Sequence, residues 1–251
     1  TSTADSNVIA GGSGNILSAA ATNATISGGT LNTTGSNFAV VGGGYSNDVS
    51  AASGVIAGGY NNSVAAVYSF IGGGQNCSII LGADHSVIVG GNNNDITGTG
   101  DDCVIGGGNG NQISATDIVN TIAGGQGGTI SGATAAGTIG GGNGHTVSAS
   151  YATIAGGNLG VASATFTFLG GGASNIASAS YAVVCGGTTN SNSAQYGFIG
   201  GGQNCSIAAG ADHSVIVGGN NCDITSTGDD NTIGGGNGNQ ITGTGGNCVI
   251  A

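Results

Sequence analysis

"FIGGGQNCSIILGADHSVIVGGNNNDITGTGDDCVIGGGNGNQIS" (residues 70–114) returns with few changes as "FIGGGQNCSIAAGADHSVIVGGNNCDITSTGDDNTIGGGNGNQIT" (residues 198–242), an offset of 128 residues. Inside this duplication lies a shorter unit. Just before each glycine cluster stands an aliphatic residue: Ile9, Ile26, Val41, Ile56, Ile71, Ile88, Ile105, Ile122, Ile139, Ile154, Leu169, Val184, Ile199, Ile216, Ile233 and Ile250. Each is 15 or 17 residues from the next. A fixed short period is the mark of a solenoid, in which each repeat buries its apolar face only against its neighbours.

The two spacings differ by two, which keeps every side chain on its own face, because strand side chains alternate with period two. With the aliphatic column numbered zero, column +8 is again mostly apolar (Leu17, Val49, Val64, Ile79, Ile96, Ile113, Ile130, Ile207, Ile224, Ile241). Column −2 is small or polar, as at Ala24, Ala39, Gly54, Ser69 and Cys103. The pattern predicts an all-β fold, a parallel β-solenoid of about sixteen coils with two short strands per coil around a glycine corner. At a strand spacing of about 4.8 Å the stack would be about 75 Å long. Residues 1–251 read as a single repetitive domain without a linker.

Column +6 holds Asn15, Asn32, Asn47, Asn62, Asn94, Asn111, Asn175, Asn190 and Asn239, with Cys77, Cys205, Cys222, His145, Gly128 and Gly160 in other coils. It shares a face with +8, so these amides are expected to point inward or into the corner and to stack as a hydrogen-bonded ladder, with a ligand-binding row as the other reading. Column −1 faces away from the core yet is apolar: Val8, Val40, Val55, Phe70, Val87, Val104, Phe168, Val183, Phe198 and Val215 lie on it, with Thr in five other coils. An apolar outward stripe marks an interface, and self-association along it is expected.

Composition excludes much else. The chain has 57 Gly, no Lys, Arg, Pro, Met or Trp, and eleven acids that are all Asp, for a net charge of −11. Without a basic residue it has no means of holding nucleic acid or an anionic membrane. No apolar run reaches the roughly 18 residues of a membrane span. The lack of Lys and Arg also removes every trypsin site, which suits an extracellular or cell-surface location. No signal peptide or initiator Met is visible, so the sequence reads as a window of a longer array.

The units "SFIGGGQNCSI" and "HSVIVGGNNNDITGTGDDCVIGGGNGNQI", and above all "HSVIVGG" at 85–91 and 213–219, resemble the head repeats of trimeric autotransporter adhesins of the YadA type. The variants "GGGYSN" (42–47) and "GGGASN" (170–175) are similar to repeats in tail-fibre-like surface proteins. That resemblance implies a left-handed parallel β-roll, a homotrimer, and surface display for adhesion to partners such as surface glycans. The unit here is longer than the family's. Calcium-binding nonapeptide repeats fit less well, since Asn stands where they carry Asp and the unit is far longer than nine residues.

Chemistry-bearing clusters are few. Asp84 and Asp101 share column −4 on consecutive coils, with His85 and Asp102 beside them at −3; Asp212, Asp229, His213 and Asp230 repeat the set. Stacked carboxylates about 5 Å apart repel unless screened, so a Ca²⁺ ion held by Asp84, Asp101, Asp102, Asp212, Asp229 and Asp230 is the metal reading; a solvated acidic turn is the plain one. No cofactor is required. A catalytic Asp–His pair is disfavoured because the cluster comes twice, with its scaffold. The six cysteines do not follow zinc spacing, and Cys205 and Cys222, stacked in register, are poorly aimed for a disulfide. Buried thiols are expected. Sequons occur at Asn23, Asn32, Asn61, Asn76 and Asn204.

These features predict a non-catalytic extracellular fibre: a shaft, an adhesin or a subunit stacking head to tail into a filament. A receptor- or glycan-binding fibre of a phage or virus is the alternative. An ice-binding solenoid would need a regular Thr face, and Thr fills only five of sixteen places at −1.

Overall fold

The computed structural model describes residues 6–18 and 21–251, and their regular structure is strand throughout, with no helix. The chain divides into two compact units, residues 1–127 and 128–251, and each holds one copy of the duplicated stretch. Both are parallel β-solenoids.

In the first unit one ladder runs from Val8–Ile9 through Thr25–Ile26, Val40–Val41, Val55–Ile56, Phe70–Ile71, Val87–Ile88 and Val104–Ile105 to Thr121–Ile122, each strand pairing in register with the next. A second ladder runs from Ile16–Leu17 to Gln112–Ala115. The second unit repeats both, from Thr138–Ile139 to Val249–Ile250 and from Thr129–Gly132 to Gln240–Ile241. Column zero meets column zero whether the offset is 17, as at Ile9 and Ile26, or 15, as at Ile26 and Val41. The two extra residues sit in the loop after column +9, away from the ladders.

Each coil has a third side that the alternation does not reveal. Single bridges at column +4 join Ser13, Thr30, Tyr45, Tyr60, Gln75, Asn92, Asn109 and Gln126 in the first unit, and Asn143 to Asn237 in the second. Two left-handed corners turn each coil, at column +5 between this side and the second ladder and at column −3 between the second ladder and the first, and most are not glycine: Leu31, Asn61 and Asn76 at +5, Phe38, Tyr68 and His85 at −3, all with φ between 53° and 58°. Such backbone costs about 1–2 kcal/mol per residue. A hydrogen bond offsets it: the corner N–H turns back to the preceding coil, as in Phe38 to Thr22 O (2.9 Å), His85 to Val67 O (3.0 Å) and Leu31 to Ser13 O (2.9 Å). Strand N–H groups point the other way, as in Val40 to Gly54 O (3.0 Å). Every coil is therefore fastened in both directions.

The core is the predicted one. Column zero from Ile26 to Ile233 and column +8 from Val49 to Ile241 are buried, joined by small residues at −2 such as Ala24, Ala39 and Cys103. Most of the buried side chains are methyl-sized or β-branched, with Leu169 at column zero and Asn192 at column +8 as exceptions.

Glycine at column +3 is obligatory. A Cβ on Gly44 or Gly59 would collide with the carbonyl oxygen of the same glycine in the next coil, and would lie 2.7 Å and 2.6 Å from the Asn47 and Asn62 Nδ2 atoms. The φ angles there, +90° and +101°, suit only glycine. Column +1 adds a two-coil rhythm. Gly42, Gly72 and Gly106 alternate with Ala57, Val89 and Ala123 in the first unit, and Gly140, Gly170, Gly200 and Gly234 alternate with Ala155, Cys185, Val217 and Ala251 in the second. A Cβ on Gly42, Gly72, Gly106, Gly140, Gly170 or Gly200 would strike the carbonyl of the following coil's +1 residue.

Candidate functional surfaces

The asparagine column is the most highly ordered polar feature. Asn47 Nδ2 donates to Gly43 O in its own coil (2.9 Å) and to Gly59 O in the next (3.0 Å), while its Oδ1 accepts from Asn62 N (3.0 Å). Asn32, Asn62, Asn175 and Asn190 repeat the pattern. One buried amide thus gives a partner to its own coil's glycine carbonyl and to the next coil's amide N–H, and adds a second hydrogen bond to the next coil's glycine carbonyl, which already accepts from a column +4 N–H such as Tyr45 N. Its donors and acceptor are consumed by the scaffold, and the sequon at Asn32 falls on one of these buried amides.

The substitutes in this column show what it needs. Cys77 receives the ladder through its N–H to Asn62 Oδ1 (2.9 Å), and its Sγ faces Gln75 O and Gly91 O at 3.7 and 3.8 Å. His145 is buried, and its Nδ1 accepts from Gly160 N at 2.9 Å, taking the place of the asparagine oxygen. That bond requires a bare Nδ1, so the ring is neutral with its proton on Nε2. Nε2 is buried with no partner in hydrogen-bond geometry. Burial pushes the His145 pKa below its ordinary 6.5.

Backbone N–H groups of the preceding coil occupy the acidic corners. Asp84 Oδ1 accepts from Val67 N (2.8 Å) and Asp101 Oδ1 from Asp84 N (2.9 Å). Asp212 and Asp229 accept in the same way from Gln195 N (2.9 Å) and Asp212 N (3.2 Å). Asn37 does so for Thr22 N (2.9 Å). Column −4 is therefore a capping position in the coils where it carries a short side chain with an oxygen, whereas Ala52, Val67, Ile118 and Ala135 leave it without one. Asp102 and Asp230 sit beside it on left-handed corners and are exposed. Among the described residues no group of three or more His, Cys, Asp or Glu is placed to hold a metal ion.

Sequence reading missed an aromatic column at −3. In the second unit Tyr151, Phe166, Tyr181, Tyr196 and His213 stack face to face, with ring centroids 4.8, 4.9, 4.8 and 5.1 Å apart. Tyr68 and His85 form the corresponding pair in the first unit at 5.3 Å, and Tyr45 stacks on Tyr60 at 5.2 Å on the third side. Aligning the chain on column zero puts these rings in one file, and that was the available signal. His85 and His213 thus meet a tyrosine ring of the preceding coil.

Column −1 faces outward, as predicted. Val8, Phe70, Phe168 and Phe198 are exposed, and Val40, Val55, Val87, Val104, Val183 and Val215 are half-buried between neighbours. The Phe70 ring leans across its own coil's glycine, and a Cβ on Gly72 would come 3.2 Å from Phe70 Cε1; Phe198 and Gly200 repeat this at 3.3 Å. All six cysteines are free thiols: Cys77, Cys103, Cys205 and Cys222 are buried as expected, whereas Cys185 and Cys248 are exposed. Cys185 stands at column +1, whose side chains point out. Burial raises the thiol pKa of Cys77, Cys103 and Cys205, which keeps them protonated and inert. The described surface has no pocket, and no helix is long and apolar enough to cross a membrane.

No protein-family profile matches the chain, and no curated protein matches it.

Proposed function

We propose that this chain is a non-catalytic structural segment, a shaft or adhesin stalk displayed outside a cell or on a particle, akin to the YadA-type head repeats its units resemble. One observation carries the reading: the polar side chains that recur from coil to coil are used to fasten the coils. Column +6 amides hold glycine carbonyls, and column −4 oxygens hold loop N–H groups. An enzyme on this scaffold would gather a unique set of titratable groups on one face. Here the conspicuous set, Asp84, His85, Asp101 and Asp102, recurs 128 residues on with the same backbone bonds. The absence of Lys and Arg supports life outside the cell, where proteases that cut at basic residues are common.

The aromatic column does not favour the glycan-binding alternative. Sugars stack on open ring faces, and these faces cover one another from Tyr151 to His213. Immunogold labelling of intact source cells or particles tests the proposal. Label on the unpermeabilised outer surface is expected. Label that appears only after permeabilisation would overturn it.

A further inference from the structure

We infer that the outward face of the first ladder, columns −1 and +1, docks a second copy of this chain face to face. The inference rests on the shaft reading and names that shaft's partner.

Charge limits what can meet what. The chain carries −11 and not one basic residue, so two copies repel wherever carboxylates approach. The carboxylates are not spread evenly. Asp48, Asp95 and Asp223 stand on the outward column of the second ladder, and Asp84, Asp101, Asp102, Asp212, Asp229 and Asp230 crowd the corner at −4 and −3. Columns −1 and +1 contain no carboxylate in either unit. The third side also lacks carboxylates but presents amides and hydroxyls that water satisfies, such as Gln75, Asn92 and Asn109. The first ladder alone offers an apolar, uncharged face, with Val89 and Val217 at its +1 edge 55% and 56% exposed.

Pitch limits the partner further. The face repeats once per coil, at the strand spacing of about 4.8 Å. A globular partner could match one or two coils and would then fall out of step. A second stack of the same coils stays in step along the face of each unit, as paired sheets do in dry zippers.

Bulk is matched as well. A two-fold axis along the stacking direction reverses the strands, so column −1 of one copy lies opposite column +1 of the other at the same level. Phenylalanine at −1 occurs only where +1 is glycine: Phe70 with Gly72, Phe168 with Gly170, Phe198 with Gly200. The two valines at +1, Val89 and Val217, occur where −1 is also valine, Val87 and Val215. In these five coils the opposed pairs are then Phe with Gly or Val with Val, so no phenylalanine meets a side chain; elsewhere Val or Thr at −1 meets Gly, Ala, Ser or Cys at +1. A two-fold interface requires this self-complementarity.

Sedimentation velocity over rising concentration tests the inference with three proteins: the parent chain, Val87→Asp with Val183→Asp on the face, and Thr146→Asp with Ser191→Asp on the second ladder. All four sites point outward, and circular dichroism checks that each variant folds. The parent is expected to dimerise, the face variant to associate at least tenfold more weakly, and the second-ladder variant to match the parent. A parent monomeric up to millimolar concentration, a face variant that associates like the parent, or equal loss in both variants would overturn the inference. Should the face variant not fold, Val89→Ser with Val217→Ser, at the exposed +1 edge of the same face, gives a second measurement. Association in that folded variant as strong as in the parent would count against the dimer. Monomers that bind insoluble polysaccharide through this face, and lose that binding in the face variant, would replace the second copy by a glycan. Surface labelling is untouched by any of these outcomes, so the shaft reading and its partner fail separately.

Discussion

Gly58 and Gly59 are neighbours in sequence, and they differ in everything a Cβ would meet. Nothing lies within 4 Å of a Cβ on Gly58, whereas one on Gly59 strikes the Gly74 carbonyl, at a φ of +101°. Gly59→Ala is expected to cost about 3 kcal/mol or more, because both strain and a collision with fixed backbone act there. Gly58→Ala should cost less than about 1 kcal/mol; denaturant midpoints decide, and equal losses would contradict the corner geometry. His145 makes a second residue-scale prediction. Its folded pKa lies below 6.5, so above pH 6.5 both states are neutral there and its contribution does not vary with pH. Below pH 6.5 the unfolded chain takes up a proton that the fold refuses, and stability falls as pH drops toward the folded value. Melting temperature between pH 7 and pH 5 should therefore fall more steeply in the parent than in His145→Asn, which restores the common ladder residue. Parallel curves would show that His145 is not held neutral.

At the scale of the strand, the facing assignment is legible in the sequence, because period-two alternation survives insertions of two. Ile105 faces in and Val104 faces out, one residue apart. Ile105→Asp would bury an unpaired carboxylate between coils, with an expected loss of about 4 kcal/mol or more and local uncoiling. Val104→Asp at the same strand should cost less than about 1 kcal/mol. Thermal unfolding that barely moved for Ile105→Asp would invert the facing. The third side was not legible. A one-residue bridge between glycine and a left-handed corner has no alternation to read, and Tyr45, Gln75 and Asn92 look like ordinary turn residues. The corners at −3 were hidden for a related reason: Phe38, Tyr68 and Tyr151 are poor predictors of positive φ, and tertiary hydrogen bonds impose it. The rhythm of glycine at +1 was present in the letters, but it surfaces only when each glycine of a cluster is given its own column.

At the scale of the molecule, the duplication is repeated contact by contact. Val67 N to Asp84 and Gln195 N to Asp212 correspond, at 2.8 and 2.9 Å, as do the stacks of Tyr68 on His85 and Tyr196 on His213. The solenoid, its core columns and its inward amides were all readable from period and facing. The acidic corner was readable as a cluster, but its capping role was not, since nothing in the letters distinguishes a carboxylate that binds an ion from one that holds the previous coil's N–H. The central claim is that the repeated polar residues serve the stacking of the coils. Asn61 and Asn62 test it most directly, being identical in type and adjacent. Asn62 is buried and holds Gly58 O, Gly74 O and Cys77 N, while Asn61 is exposed and bonds only sideways to Asn76. The measurement is the unfolding free energy of Asn62→Ala against Asn61→Gly, the latter chosen because Gly110 and Gly144 stand at the same corner in other coils. The account predicts a loss of about 2 kcal/mol for Asn62→Ala, from Gly58 O and Cys77 N left unpaired and Gly74 O left with Tyr60 N alone, and no more than about 0.5 kcal/mol for Asn61→Gly. An Asn62→Ala protein as stable as the parent would contradict it.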